Sequence, residues 1–550
     1  MRELLDGIDD HNRRFPLLYA PHRHFMEELM RNEIKFEIKR LGKKAFDKDR
    51  KRADKEEKYK EKFERRTGGV ARVPATRARA PLHRHFDPKH CKRNANAIAT
   101  AIWHKILNKN YDPEPAVLFE LPKPDGSKRE VTAFGIPDAA VANVLHRRTL
   151  NRNKKRLSPN PYAYHPDKNV FDAILALRDF DKDGKMFAVQ IDFEKYFDNI
   201  PASHLKRKIS DRTTVSLTPH ERHVFEAFLH HRLGTSEAHR ASTFKRKVKG
   251  TPQGSSASLF LANLANHDLD RKLSAESGKF VRFADDVVAI CGSYEKAQRL
   301  ERCFDRHCSD SGLIINRRKS PGIAVISDYP HEIRTINDFT YLGYGFRDSG
   351  LTMPDKTKRK LQQKVSRLIN IYLINSLSHG FNTKRANRRR KYDWDLLGLV
   401  YELRRGFYGG LREQDIQDFL YHEGKLKTMR GLMGFYCLIE DPQVLKDLDG
   451  WVVNIVRRAC VERRRILRTK YRRNCPTPSN EELILGTWFD QSAWRDENDT
   501  AEDVEAIFPS LVRGWRAARK HFFTFGLEGV QAPGYDSSFD VSSLFDAFDY

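Results

Sequence analysis

The segment "KFVRFADDVVAIC", Lys279 to Cys291, constrains the fold of this chain more than any other. Val281, Phe283, Val287, Val288 and Ile290 make it an apolar, β-forming run, with Asp285 and Asp286 in its middle. β-branched and aromatic residues at this density favour a strand or a hairpin. Two adjacent carboxylates destabilise such a run unless a cation neutralises them or a turn exposes them to water. Asp is a common turn residue, so this segment alone leaves an exposed hairpin tip and a charged site equally open.

A third carboxylate comes from "MFAVQIDFEKYFDNI", residues 186–200. Its first half is a second β-like apolar run that ends on Asp192. Two strands presenting Asp192 and Asp285 side by side would form a hard-oxygen site suited to Mg2+. Two such ions about 3.5–4 Å apart activate an attacking hydroxyl and stabilise a leaving pyrophosphate. Successive strand residues point to opposite faces, so Asp285 and Asp286 need a tight turn to serve one site.

Charge narrows the partners. The 550 residues carry a formal net charge of +26, and an excess of this size points to a polyanion, nucleic acid before any other. A membrane partner is not expected, because no apolar run approaches the ~18 residues needed to span a bilayer and the mean hydropathy is −0.68. The opening residues, "MRELLDGIDDHNRR", contain no apolar signal core, so export is not expected. Cysteines at 91, 291, 303, 308, 437, 460 and 475 form no CxxC pair, which gives no support to a zinc knuckle or a disulfide framework. A reducing cytoplasm is the expected location.

Residues 22–66 read as a helix that becomes strongly charged after position 42, either a solvated face laced with ion pairs or an RNA-contacting helix. A Gly-, Pro-, Ala- and Arg-rich linker follows. "HRHF" occurs at 22–25 and 83–86 without flanking similarity, so it is not a repeat, and its histidines read as structural or RNA-facing. From about Tyr111 to Phe346 strand-like and helix-like segments alternate, as in an α/β or α+β core. Beyond that the pattern is helical on a basic background, with Arg-rich clusters in "TKRANRRRKYDWD" and "RRACVERRRILRTKYRRNC". The last thirty residues contain no Lys or Arg.

Seven segments in order resemble the fingers and palm of a reverse transcriptase, of the bacterial kind related to group II introns and retrons. "YDPEPAVLFELPKPDGSKREVTAFGIPD" resembles the fingers hairpin and "NPYAYHPDKNVFDAI" the next fingers block. "IDFEKYFDNIPASHL", "GTPQGSSASLFLANLANHDLD" and "VRFADDVVAI" resemble motifs A, B and C; "SGLIINRRKS" and "FTYLGYGF" resemble motifs D and E. Single motifs of this kind are weak, but seven in register are highly specific.

The resemblance implies an α+β right-hand polymerase (fingers, palm and thumb) with an N-terminal helical extension and an α-helical C-terminal region. The expected parts are a basic helical extension and linker at 1–90, fingers and palm at 91–347, a helical thumb and basic RNA-binding region at 348–475, and a C-terminal helical region with an acidic tail at 476–550. Asp192, Asp285 and Asp286 are the implied catalytic carboxylates. With the backbone carbonyl of Phe193 they are also the implied ligands of two Mg2+ ions, Mn2+ being an alternative. Lys123, Lys128 and Arg129 in the Asp-Gly hairpin "KPDGSKRE" are implied to grip the dNTP triphosphate. Lys319 is implied to act near the leaving pyrophosphate, with Arg317 and Arg318 as equally cationic neighbours. Phe197, five positions after Asp192, is implied to crowd out a 2′-hydroxyl, and Gln253 to hold the incoming nucleotide and template. Phe283, Leu259 and His165 depart from the commoner Tyr, Pro and Arg, which touches template handling more than chemistry.

An RNA template, dNTPs and a DNA product are the implied partners, with homo-oligomers open. Arg463, Arg464 and Arg465 are the favoured RNA contacts. No HNH-like Cys/His cluster and no "VTG" triplet is present, so by exclusion, and by its long extensions, the chain resembles the defence-associated (DRT, unknown-group) enzymes. A dedicated non-coding RNA template and a role in antiphage defence follow from that resemblance. Two rival readings are an RNA-binding, maturase-like protein whose palm is a scaffold and a template-independent, protein-primed DNA polymerase. The acidic, aromatic end "FDVSSLFDAFDY" is expected to dock on a basic groove, and its terminal Tyr550 offers a hydroxyl for priming.

Overall fold

The structure is a computed structural model that describes residues 19–71, 81–122, 126, 128–165, 167–179, 185–276, 278–381, 394–422, 424–426, 428–475, 477–489 and 505–530. The C-terminal "FDVSSLFDAFDY" and most of "TKRANRRRKYDWD" lie outside those residues. Among the described residues the strands are β1 (Ala116–Pro122), β2 (Lys128–Ala133), β3 (Met186–Asp192), β4 (Arg232–Gly234), β5 (Lys245–Arg246), β6 (Lys279–Phe283) and β7 (Asp286–Cys291), then β8 (Gly322–Ile326), β9 (Thr335–Ile336), β10 (Asp338–Tyr341), β11 (Tyr344–Arg347) and β12 (Gly350–Thr352). Helices lie before, between and after them.

The central sheet has the order β6-β7-β3-β8-β9, antiparallel except for the β8–β9 pair. Both its faces are buried, which is why β3 and β7 read as continuous apolar runs. Period-two alternation sorts their side chains between two cores. Met186, Ala188, Val288 and Ile290 face a core shared with the C-terminal helices. Phe187, Val189, Ile191, Val287 and Ala289 face a second core, built with the N-terminal helices and with helices Ser256–Ala265 and His267–Ala275. A four-stranded sheet, β2-β1-β4-β5, takes its last two strands from between β3 and β6 in the chain, and a three-stranded sheet, β10-β11-β12, follows the central one.

The first core recruits residues far along the chain. Leu445, Val452, Leu483, Trp488, Phe508 and Leu511 share one cluster with Val281 and Phe339. Trp515 Nε1–H donates to the carbonyl of Ile439 at 3.0 Å, fixing helix Leu511–Phe525 there.

Helix Tyr19–Thr67 confirms the expected charged helix and extends it at both ends. Met30, Ile34 and Ile38, at helical spacing, are buried in the second core. At its far end Lys62 pairs with Glu402 at 3.3 Å, and Arg66 pairs with Asp395 at 3.5 Å while stacking 3.9 Å over the Tyr372 ring. At about 1.5 Å per residue this helix links the second core to the C-terminal helices. Among the described residues no helix is long and apolar enough to cross a membrane.

One buried carboxylate gives the fold a pH signature. Asp138, in the first turn of helix Ile136–Asn153, accepts the Tyr111 hydroxyl at 2.7 Å and the Glu114 N–H at 3.3 Å. Burial pushes its pKa up to about 7 despite those donors. The folded chain therefore holds a proton that the unfolded chain has released, and stability falls as pH rises from the unfolded value toward 7. Relative to Asp138→Asn, the wild type is expected to lose about 3 kcal/mol between pH 4 and pH 8. Denaturant midpoints of the two proteins across that range check this; parallel curves would exclude it.

Candidate active site

The three carboxylates meet at one end of the central sheet. Asp192, the last residue of β3, is the register partner of Asp286, the first residue of β7. Paired residues in an antiparallel ladder lie about 4.5–5.5 Å apart at Cα and share a face. Asp285 is not on a strand. It shares a two-residue turn with Ala284, closed by the Phe283–Asp286 pair. The strand pairing expected for Asp192 and Asp285 thus belongs to Asp192 and Asp286, and the tight turn brings Asp285 alongside. Ala284 has φ +61°, a left-handed conformation that a two-residue hairpin loop requires and a Cβ resists.

The stretch 314–320 wraps the end of β3. Asn316 N–H donates to the Asp192 carbonyl at 2.8 Å, and its side-chain amide donates to Asp192 Oδ2 at 3.1 Å. Asp192 N–H donates to Ser320 Oγ at 3.0 Å. Lys319 Nζ reaches Asp192 Oδ2 at 2.9 Å, whereas Arg317 turns to Asp305 at 3.1 Å. Backbone geometry thus puts Lys319, not Arg317, beside Asp192. Phe193 buries its ring against Tyr196 and Phe304, placing its backbone directly after Asp192.

Electrostatics here are those of crowded acids. Burial, then the charges of Asp285 and Asp192, push the Asp286 carboxyl up to about 7. Burial and Asp192 also raise Asp285, against the opposing fields of Lys319 and Arg129. Burial disfavours the Lys319 ammonium, yet its bond to Asp192 and the fields of Asp285 and Asp286 outweigh that and raise its pKa. Asp286 Oδ1 is buried without a hydrogen-bond partner. Among the described residues no group of three His, Cys, Asp or Glu side chains is already arranged to enclose a metal ion. Even so, the donor set fits Mg2+: hard oxygens, one of them unsatisfied, whose mutual repulsion a divalent charge relieves.

The residues expected on the substrate side lie on two other elements. Arg129 lies on exposed β2, and Lys128 beside it pairs across the hairpin with Glu120. Lys123 falls outside the described residues. The carbonyl of Gln253 accepts Thr132 N–H at 2.7 Å, which ties the loop before helix Ser256–Ala265 to β2. Two glycines allow that loop to approach. A Cβ on Gly254 would meet the Thr132 carbonyl oxygen at 2.7 Å, and one on Gly250 would meet the Phe197 oxygen at 2.6 Å. Phe197 is partly buried, edge-on to Tyr164 and Tyr196 at 6.5 and 5.6 Å between ring centroids, and its carbonyl accepts Thr251 N–H.

The Arg-rich helix Gln443–Tyr471 corrects one expectation. Arg463 is not an RNA contact: it is 3% exposed, pairs with Asp395 at 2.7 Å and donates to the Leu373 carbonyl at 3.1 Å. Adjacent residues of a helix are about 100° apart, so three successive arginines cannot share one face. Arg464 and Arg465 are exposed. Arg464 donates to Asn474 Oδ1 and Thr477 Oγ1, and Arg465 pairs with Glu462 one turn away.

Asn316 and Ser320, which anchor Asp192, were visible in the sequence only as members of the "NRRKS" stretch. Arg282 had a clearer signal, a lone cation in the apolar run before Asp285, and it is fully buried.

Residues 121–346, which include every carboxylate and loop of this site, match the family described as reverse transcriptase (RNA-dependent DNA polymerase). This segment resembles a reverse transcriptase domain. It contains the central sheet, most of the four-stranded sheet and the start of the three-stranded one. The chain is 28% identical over 131 residues to the telomerase reverse transcriptase of Mus musculus, a match covering 23% of this chain and 12% of that relative's length. Solved structures similar to it include apo telomerase from Candida tropicalis truncated from its C-terminal domain, at 14% identity and TM-score 0.34, covering 47% of this chain and 60% of that one. Telomerase from Candida albicans with a fragment of telomeric RNA aligns at 12% identity and TM-score 0.34, covering 66% and 63%.

Proposed function

We propose that this chain is an RNA-directed DNA polymerase in which Asp192, Asp285 and Asp286, with the Phe193 carbonyl, hold two divalent cations, Mg2+ or Mn2+. The observation that carries the reading is the convergence of three carboxylates on one sheet end, with an unsatisfied Asp286 oxygen and raised carboxyl pKa values. Bound there, the cations would lower the pKa of a primer hydroxyl and neutralise charge on the leaving pyrophosphate.

The chain's own groups complete the site. Arg129 and Lys128 on the β1–β2 hairpin bind triphosphate oxygens, and Lys123 in the same hairpin is assigned with them. Lys319 keeps a proton on Nζ beside the carboxylates, where a departing pyrophosphate needs positive charge. The loop of Gly250, Gln253 and Gly254 brings backbone against the nucleotide. In this reading 91–347 are fingers and palm, 348–475 thumb and RNA-binding region, 1–90 a helical extension and 476–550 a C-terminal helical region. The charge of +26 supports an RNA template. The missing HNH-like cluster and VTG triplet, with the long extensions, favour a defence-associated enzyme with a dedicated non-coding template, and the scattered cysteines favour a reducing cytoplasm; homo-oligomers are compatible.

Primer extension on an RNA template with dNTPs and Mg2+ tests the reading. Incorporation by the wild type is expected; none across varied primers and templates would sink it. Phe197 sets the sugar preference. Its ring is held by Tyr164 and Tyr196, and truncation opens room for a 2′-hydroxyl. Phe197→Ala is expected to cut discrimination against ribonucleotides about ten- to a hundredfold. An unchanged dNTP/rNTP ratio removes Phe197 from that role.

A further inference from the structure

The turn carrying Asp285 is held from behind by a buried arginine. Arg282 is 0% exposed, and its neighbours in register place it on the face opposite Asp286. Arg282 Nε donates to Asp270 Oδ1 at 2.7 Å and Nη2 donates to Oδ2 at 2.6 Å, a bidentate pair with Asp270 itself 0% exposed. Nη1 donates to the Ala284 carbonyl at 2.9 Å and to Asn263 Oδ1 at 3.2 Å. Asn263 in turn donates to the Ala163 carbonyl at 3.0 Å, next to Tyr164, which touches Phe197.

An ion pair this deeply buried is weak evidence for stability, since desolvation offsets most of its attraction. Its geometry has a more specific consequence. The Ala284 carbonyl belongs to the one residue of the hairpin forced into the left-handed region, and the planar guanidinium fixes that carbonyl relative to helices Ser256–Ala265 and His267–Ala275. Rotation of the Ala284 peptide would swing Asp285 away from Asp192 and Asp286.

We infer that Arg282, clamped by Asp270 and Asn263, is a positioning residue that holds Ala284 in its left-handed conformation and thereby aims the Asp285 carboxylate. This rests on the polymerase reading, but the clamp acts on carboxylate geometry whatever the substrate. Lysine at 282 keeps a charge for Asp270 but lacks the fork that reaches Ala284 and Asn263 together. Glycine at 284 adopts positive φ without a Cβ penalty and so has less need of the clamp.

The test measures Mn2+ affinity by electron paramagnetic resonance, and kcat and KM for dNTP incorporation, in the full chain. Arg282→Lys is expected to lower kcat about ten- to a hundredfold and to weaken Mn2+ binding, with the dNTP KM within about threefold of wild type. Adding Ala284→Gly to Arg282→Lys is expected to restore Mn2+ affinity and about tenfold in kcat. Arg282→Lys with wild-type Mn2+ affinity and kcat would overturn the inference. So would a loss that Ala284→Gly does not recover, which would mark Arg282 as merely structural. A wild type that binds Mn2+ yet incorporates no nucleotide defeats the polymerase reading and leaves the Mn2+ comparison to decide the role of Arg282.

Discussion

Asp285→Asn combined with Asp286→Asn is expected to lower dNTP incorporation by more than about a thousandfold, at least about 4 kcal/mol of barrier. The two amides keep the size of the acids and remove the charge that a divalent cation needs. They also end the repulsion that raises both carboxyls, so the folded state should be no less stable. RNA affinity should be nearly unchanged, because neither residue is part of a basic surface. With the Asp286 carboxyl near 7, cation binding by the wild type releases a proton and weakens as pH falls through that value. Asp286→Asn should flatten this dependence. Titrating Mn2+ at pH 6 and pH 8 in both proteins checks the sign, and full incorporation by the double variant would remove these carboxylates from the active site.

Arg463→Met is expected to destabilise the fold by about 3 kcal/mol, since it leaves Asp395 buried with a partner lost. The figure sits at the lower end for a buried pair because Arg66 also lies 3.5 Å from Asp395. The Leu373 carbonyl loses its donor as well. It belongs to the widened π-helical turn Asn370–Asn375. Arg464→Gln with Arg465→Gln should do the reverse. The fold should be nearly unaffected, while RNA affinity drops and the salt slope becomes shallower by up to about two. Chemical denaturation and RNA binding at two salt concentrations separate the cases. A stable Arg463→Met protein with weakened RNA binding would return Arg463 to the surface.

The sequence was most informative where local pattern and chemistry coincide. Alternating burial on both faces of β3 and β7 produced two apolar runs, and carboxylates breaking those runs at their ends located the site. The Asp-Gly hairpin and the long charged helix were legible for the same reason: each is encoded by residues close in the chain. The resemblance to polymerase motifs put those pieces in order.

Register was not legible. Whether Asp285 or Asp286 opposes Asp192 depends on a two-residue turn and on Ala284 tolerating positive φ, which its identity as alanine argues against. Nor was the fate of neighbouring cations. Lys319 and Arg317 lie two residues apart, yet only Lys319 faces Asp192, because the stretch 314–320 is pinned by Asn316 and Ser320 to the end of β3. Arg282 and Arg463 read as charges and fold as buried struts, each paired with an acid that tertiary packing brings to it, Asp270 twelve residues away and Asp395 sixty-eight. Residue identity and local pattern were enough to say which residues carry charge, which runs are strand or helix, and which carboxylates stand out from their surroundings. Which charges meet was left to the packing of distant elements, because a charge leaves water only where its partner is already in place.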